Sequence, residues 1–331
     1  MGDFIYSNNV GCFVFTAKGE VVDSKLYKTP ERSREAAKLL KEGKITPQEK
    51  ELLDKHNLPI LGFKEGGIKT IHDSGLYVKA SRYIIEHYRK EMIENTLVIT
   101  KNDIKESVKK DILIIQAVNN VQEIDKLINT LVKRLREWYS YYLPEYSSAV
   151  PDNEKFAELV AQKGRHEILA ELRLKDEMSM GKDMPDGDVK PMKALAEQVM
   201  SIAELRKTHE VYLDRIVKEV APNVRAIAGS MIAAKLIAHA GSLRRLSAFP
   251  ASTVQILGAE KALFRHMKTG AKPPKYGVII NHQFISKARN DVKGKAARLL
   301  ADKLSIAAKV DYFKGEFIGD KLKKEIERKL Q

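Results

Sequence analysis

The chain has 331 residues, with 58 Lys+Arg against 44 Asp+Glu and a single cysteine. That length admits two or three domains, and 44% hydrophobic with 31% charged residues points to folded protein with long solvated helices rather than disorder. One thiol excludes an internal disulfide framework. No stretch approaches the ~18 apolar residues of a membrane span, and Asp3 spoils any leader-like opening, so a soluble intracellular protein is expected.

The net charge of +14 is concentrated. From Pro222 to Gln331 there are 22 Lys+Arg against 8 Asp+Glu; before Pro222 the count is 36 against 36. A field of that kind attracts a polyanion through phosphate neutralisation and counterion release. Nucleic acid is therefore the expected partner of the C-terminal part, and the neutral remainder has another job.

Residues 4–6, 12–15 and 20–26 are short β-rich runs separated by Asn8-Asn9 and Lys18-Gly19, and they predict a small antiparallel meander. Cys12, inside an apolar run, reads as a buried structural thiol. Thr29-Pro30 and Thr46-Pro47 each open a helix, with Thr as N-cap and Pro in the first turn. A further helix is predicted over 75–94, with Leu76, Tyr83, Ile84, His87 and Tyr88 on one side. Phe13, Val22, Tyr83 and Tyr88 suit a core or a partner contact equally.

The middle is helical. Ile124, Ile128, Leu131, Leu135, Trp138 and Tyr142 recur in steps of four and three, and Pro144 and Pro151 interrupt. A second helix is predicted from 156 to about 177, then a turn over 178–191. The third helix carries Leu195, Val199, Ile202, His209, Leu213, Ile216 and Val220, a heptad seam with Arg206 as its polar interruption. A helix, a turn and a returning helix make an antiparallel hairpin about 45 Å long. It cannot bury such a seam alone. It packs on the rest of the chain or pairs with a second copy; the dimer is the favoured reading, with Arg206 and His209 setting register. After Pro222, helices are predicted over 223–240, 251–267 (interrupted at Gly258), 281–289 and 295–309, with a Gly/Pro loop over 269–277.

Catalytic patterns are missing. Gly43-Lys44 and Gly181-Lys182 lack the upstream Gly and the following Ser/Thr of a phosphate loop, and the eight His residues form no ligand spacing. Between Arg225 and Lys303 the acids are Glu260, Asp291 and Asp302, too few for a two-metal nuclease. The expectation is no enzyme, no metal and no cofactor. The cations, by contrast, are organised. Lys261, Arg265 and Lys268 at i, i+4 and i+7 share a helix face, and Lys272 and Lys275 flank a stiff Pro-Pro pair. Lys287, Arg289, Lys293, Lys295 and Arg298 follow across two helix ends. The run lacks the interleaved acids of a neutral solvated face, which favours phosphate contact. His266 and His282 lie beside these cations. His282, at a helix start, could stack an unstacked base or serve as a cap or core-edge residue.

The stretch Leu257-Gly-Ala-Glu-Lys-Ala-Leu-Phe-Arg-His-Met-Lys-Thr-Gly270 resembles the signature of the Nop-domain family. So does Lys295-Ala-Ala-Arg-Leu-Leu-Ala-Asp-Lys-Leu-Ser-Ile-Ala-Ala-Lys-Val-Asp311, and the likeness covers essentially the whole chain. Met267 stands where Leu is commoner. The chain lacks the long charged tails of nucleolar members after 321–329, which points to the archaeal, cytoplasmic branch.

The resemblance implies a mainly α fold in three parts: a small α/β domain over 1–115 that docks a fibrillarin-type methyltransferase, a coiled-coil dimerisation hairpin over 116–221, and a basic all-helical Nop domain over 222–331. It implies a non-catalytic scaffold for box C/D guide RNA and 2′-O-methylation, working with a kink-turn-binding protein; S-adenosylmethionine would sit on the methyltransferase. A spliceosomal relative without that enzyme is the alternative. Gly258, Ala259, Glu260 and Lys261 would meet a composite protein–RNA surface, and His282 matches the family histidine that stacks on a nucleobase.

Overall fold

In the computed structural model, which describes residues 2–65 and 67–330, the chain opens with three strands: β1 (Phe4–Ser7), β2 (Gly11–Phe15) and β3 (Val21–Leu26). They pair antiparallel as predicted. Two further strands of two residues each, β4 (Ile60–Leu61) and β5 (Thr70–Ile71), add in parallel on the free side of β1, so the order is β3-β2-β1-β4-β5. Strand β2 is buried on both faces, which is why it reads as a continuous apolar run. Its Phe13 and Phe15 face Leu76, Ala80 and Ile84 of α3 (Ser74–His87), while Cys12 and Val14 face Ala36 of α1 (Pro30–Lys41) and Leu52 of α2 (Pro47–His56). The predicted helix over 75–94 is two helices, because the chain turns at Tyr88 before α4 (Arg89–Ser107).

Both Thr-Pro openings behave as local chemistry dictates. Thr29 accepts from the Arg32 amide and Thr46 from the Glu49 amide, and the Glu49 carboxylate returns to the Thr46 amide at 2.8 Å, closing a capping box. Glu49 also receives Lys64 Nζ at 2.7 Å with both side chains buried. The Cys12 thiol is buried, 3.4 Å from the Tyr27 hydroxyl and 3.5 Å from that of Thr46, and burial pushes its pKa up. Phe13 lies in this core, Tyr83 is packed against it, and Val22 stays exposed.

The chain divides into two compact units, 1–108 and 109–331. The second is built on one pair of helices, α5 (Lys110–Tyr139) and α9 (Asp186–Val220). They run antiparallel: Lys110 pairs with Glu219, Asn120 with His209, and Asp125 with Arg206. Between them come α6 (Pro144–Ala149), α7 (Asn153–Gln162) and α8 (Arg165–Glu171). The helix predicted over 156–177 is thus interrupted at Lys163-Gly164, and the partner of α9 is α5. Helix α9 begins at Asp186 and absorbs Pro191 in its second turn. Arg136 ties the α5 end to this cap by donating to the carbonyls of Ser147, Val150, Pro151 and Asp152, its guanidinium lying over the Phe156 ring.

The seam differs from its expected composition. Val199, Leu213 and Ile216 are buried inside the chain's own core, together with Ala196, Ala203 and Val217, and Leu195 and Ile202 are half-buried beside them. Arg206 meets Asp125, Glu154 and Glu210, and His209 accepts from Asn120. All seven positions thus make contacts within the chain, three of them buried and four half-buried. On α5 the seam uses Val121, Val132 and Tyr139, leaving Trp138 42% exposed.

The same hairpin roots the C-terminal region. Ile114, Ala117, Val118, Leu213 and Val217 share one core with residues up to Ile326, so residues 116–221 and 222–331 are not separate bodies and the boundary falls at 108/109 rather than 115/116. This part comprises α10 (Pro222–Ala228), α11 (Ser230–Ala240), α12 (Leu243–Ala248), α13 (Ala251–Ile256), α14 (Glu260–Thr269), α15 (Gln283–Ser286), α16 (Lys293–Tyr312) and α17 (Gly319–Leu330). A 3-10 turn, Val278–Asn281, precedes α15. Gly229, at φ +77°, splits the helix predicted over 223–240. Buried Asp311 accepts from the Asn223 amide and side chain and from the Val224 amide, which caps α10 with α16.

Replacing Lys64 by Met should leave the buried Glu49 carboxylate without its cation and lower the unfolding free energy of the N-terminal unit by about 3 kcal/mol. Urea denaturation measures it, and a loss within error would mean that water reaches the pair.

Candidate nucleic-acid interface

Helix α14 carries the first group of cations. Its start is built by a close backbone crossing. Gly258, at φ +90°, lies where a Cβ would come 2.4 Å from Val278 Cγ2, and a Cβ on Gly277 would sit 1.9 Å from the Leu257 carbonyl oxygen. The Gly277 amide donates to Gln255 and the Val278 amide to Leu257, and Gln255 Nε2 holds the Lys275 carbonyl at 2.9 Å. The Lys272–Lys275 loop is thereby anchored against α13 at its second end. Glu260 accepts from the Gly258 amide at 2.7 Å, so its carboxylate folds back on the turn before α14.

No residue of α14 is fully buried. Lys261, Arg265 and Lys268 are exposed along it, and Phe264 and Met267 are 60% and 71% exposed beside them. His266 is half-buried, and its Nδ1 donates to the Ala271 carbonyl, which ties the helix end to the loop.

The second group surrounds the start of α16. Lys287 and Arg289 are exposed on the segment before it, Lys293 is half-buried at its first position, and Lys295 and Arg298 are exposed on its first turns. No acid occupies that first turn. Cations at a helix N-terminus oppose the macrodipole, so the arrangement costs local stability while concentrating positive potential. Of all the proposed phosphate contacts, only Arg289 has a carboxylate partner among the described residues, Asp291 at 3.0 Å. Lys295 and Arg298 line a common hollow with Lys329 of α17, a cation that sequence reasoning missed because α17 was not predicted. Its signal was Leu322, Ile326 and Leu330 at helical spacing.

His282 needs correction. It is 5% exposed, and both ring nitrogens are engaged. Nδ1 accepts from the Phe284 amide, which caps α15, so the neutral tautomer carries its proton on Nε2 and donates it to the Ile227 carbonyl at 3.0 Å. Burial holds its pKa below the ordinary value. Phe284 lies 4.7 Å away at a tilt, and the ring lines a hollow with Arg225, Gly229 and Lys323, so little of it is exposed in this conformation.

Among the described residues no cluster of His, Cys, Asp and Glu is placed to hold a metal ion, and no helix is long and apolar enough to cross a membrane.

Against this geometry stand the likenesses to known proteins. The model of the family described as "Nop: snoRNA binding domain, fibrillarin" matches residues 120–331. A NOP5 family protein of Methanocaldococcus jannaschii is 38% identical over 261 residues, covering 74% of this chain and 63% of its own length. Nucleolar protein 56 of Schizosaccharomyces pombe is 40% identical over 244 residues, covering 67% and 49%. A chain from a crystal structure of a fibrillarin/Nop5p complex aligns over 81% of this chain and 95% of its own at 24% identity and a TM-score of 0.43. The chain spans about half to two thirds of the length of these two relatives.

Two outcomes follow from this site. Lys295→Glu replaces a cation opposed to the α16 dipole by an acid favoured there, so it should raise thermal stability by about 0.5 kcal/mol while weakening binding to RNA. Thermal unfolding and a binding titration check both signs together. For His282, the folded pKa lies below the unfolded 6.5, so the unfolded chain binds the proton more readily. Its contribution to stability is complete above that pH and is lost as pH falls through the depressed value. His282→Asn, which can still cap α15, should flatten the decline of the melting temperature below pH 6.5 and leave RNA affinity at pH 7.5 unchanged. A large affinity loss with stability intact would return the ring to the interface.

Proposed function

This chain belongs to the Nop family, and from that footing we propose that it is the non-catalytic scaffold of a box C/D guide-RNA ribonucleoprotein. In this reading the C-terminal helices hold guide RNA together with a kink-turn-binding protein, and the N-terminal unit docks a fibrillarin-type methyltransferase, which carries S-adenosylmethionine and performs the 2′-O-methylation. The observation that carries it is the set of cations on α14, the Lys272–Lys275 loop and α16 that lack carboxylate partners among the described residues. An RNA backbone supplies the anions that the chain does not. The matching family's description, which names fibrillarin, supports the choice of enzyme.

Catalysis then rests on the partner, and this chain contributes position: a methyltransferase held at a fixed distance from a guide–target duplex is a proximity effect. We also propose self-association through the outer hairpin, where Leu205 and Val211 of α9 are 48% and 72% exposed. An archaeal cytoplasmic setting fits the same reading.

Lys261→Ala should weaken guide-RNA binding by about 1 kcal/mol at low salt and reduce the magnitude of the log K against log[salt] slope by about one. An unchanged slope removes that residue from the phosphate contacts. Tight binding to naked duplex DNA, indifferent to a kink-turn-binding protein, would overturn the scaffold reading. Co-purification with small nuclear RNA and no methyltransferase would move it to the spliceosomal branch. For self-association, the double variant Leu205→Glu/Val211→Glu should sediment as a monomer with normal helicity, whereas Leu213→Glu should unfold. Dimers that survive the double variant would place the interface elsewhere.

A further inference from the structure

A hollow of about 820 Å³ lies where α13, α16 and α17 meet, and nothing in the reading above uses it as a cavity. Lys295, Arg298 and Lys329 converge on it from two helices, and none has a carboxylate partner among the described residues. Ala251 and Leu299 supply an apolar part of the wall, and Gly294 lies at its edge. One acid, Asp302, also lines it, with its carboxylate 3.8 Å from Lys303 Nζ.

The combination is selective. A bare phosphate needs the cations but leaves the apolar wall unused. A base-paired duplex offers its backbone to an exposed face but keeps its bases stacked inside, so it cannot fill a hollow. A splayed nucleotide brings a flat, weakly polar base together with its own phosphate. It matches an apolar wall flanked by cations, and the Arg298 guanidinium offers a planar surface on which a base can stack. We propose that this hollow takes one unstacked nucleotide of a single RNA strand, with Lys295, Arg298 and Lys329 on its phosphates and the base against Leu299 and Ala251. The proposal rests on the RNA-binding reading and adds to it a single-strand site that includes α17.

The test uses the complete chain, a fluorescein-labelled oligouridylate of about ten nucleotides and an RNA duplex of the same length, read by anisotropy. Lys329→Gln removes one cation. Gly294→Leu leaves the charge alone and adds apolar bulk at a lining position; its Cβ would meet nothing within 4 Å, so α16 keeps its conformation. Each variant should weaken the single strand about fivefold, and Gly294→Leu should leave the duplex within about twofold of the unmodified chain. The site is overturned if Gly294→Leu leaves the oligouridylate unaffected or weakens the duplex equally. It is also overturned if uridine monophosphate competes as well as the strand does, because the ligand would then be a free nucleotide. Lys261→Ala, measured alongside, separates the two levels. If it weakens both RNAs while Lys329→Gln and Gly294→Leu change neither, the hollow alone fails. If all three variants bind both RNAs unchanged, the RNA-binding reading fails with it.

Discussion

One pair of helices holds two cores. At one end of the hairpin, Ile114, Ala117 and Val118 of α5 meet Leu213, Ile216 and Val217 of α9 and continue into the helices after Pro222. At the other, Ile124 to Tyr139 meets Val189 to Ala203 and continues into α7 and α8. Neither core closes without both long helices, so the hairpin is not a spacer added between finished domains. Between the cores, where aliphatic burial lapses, charge takes over: Arg206 reaches Asp125, Glu154 and Glu210, and Asn120 donates to His209. Polar contacts of this kind stabilise little by themselves, but a sliding of one helix along the other would unpair all of them at once, so they select one register.

The treatment of charge changes along the second unit. On the hairpin, cations find acids of their own: Lys126 meets Glu123, Arg134 meets Glu137, and Lys110 meets Glu219. Further on, Arg225 meets Asp214, which holds that carboxyl below its ordinary range. From α14 onward most cations have no such neighbour among the described residues, and those at the start of α16 stand against the helix dipole. Folding alone would favour acids there. A polyanion bound as proposed above would complete the electrostatics, and it would read the arrangement of charge rather than any single residue.

What could be read from the residues follows the range of the forces involved. The Thr29 and Thr46 caps were legible because a cap is settled within four residues, and the first three strands because short β-rich runs are set off by Asn8-Asn9 and Lys18-Gly19. β4 and β5 were not, since two-residue strands exist only by pairing with β1. The seam was legible in part: Val199, Leu213 and Ile216 are core as expected, but beside Val199 the small Ala196 and Ala203 are buried where the larger Leu195 and Ile202 are only half-buried. Helix α5, some sixty residues upstream, packs along that seam within the chain, a pairing too distant in sequence for the periodicity of α9 to reveal. Of the candidate site, the cations were legible as a run without acids. Lys329 was not, because its place depends on α17 folding back against α16.

His282 shows how the two kinds of knowledge can diverge. A histidine after an apolar run at a helix start satisfies two descriptions, a base-stacking ring and an N-cap, and motif likeness favours the first. Hydrogen bonding decides for the second in this conformation: Nδ1 takes the Phe284 amide, Nε2–H gives to Ile227, and each bond fixes the tautomer that the other requires. Both bonds lie in the plane of the ring, so they fix its orientation without occupying its faces. What opposes a stacked base in this conformation is the burial of the ring, 5% exposed, rather than the bonds themselves.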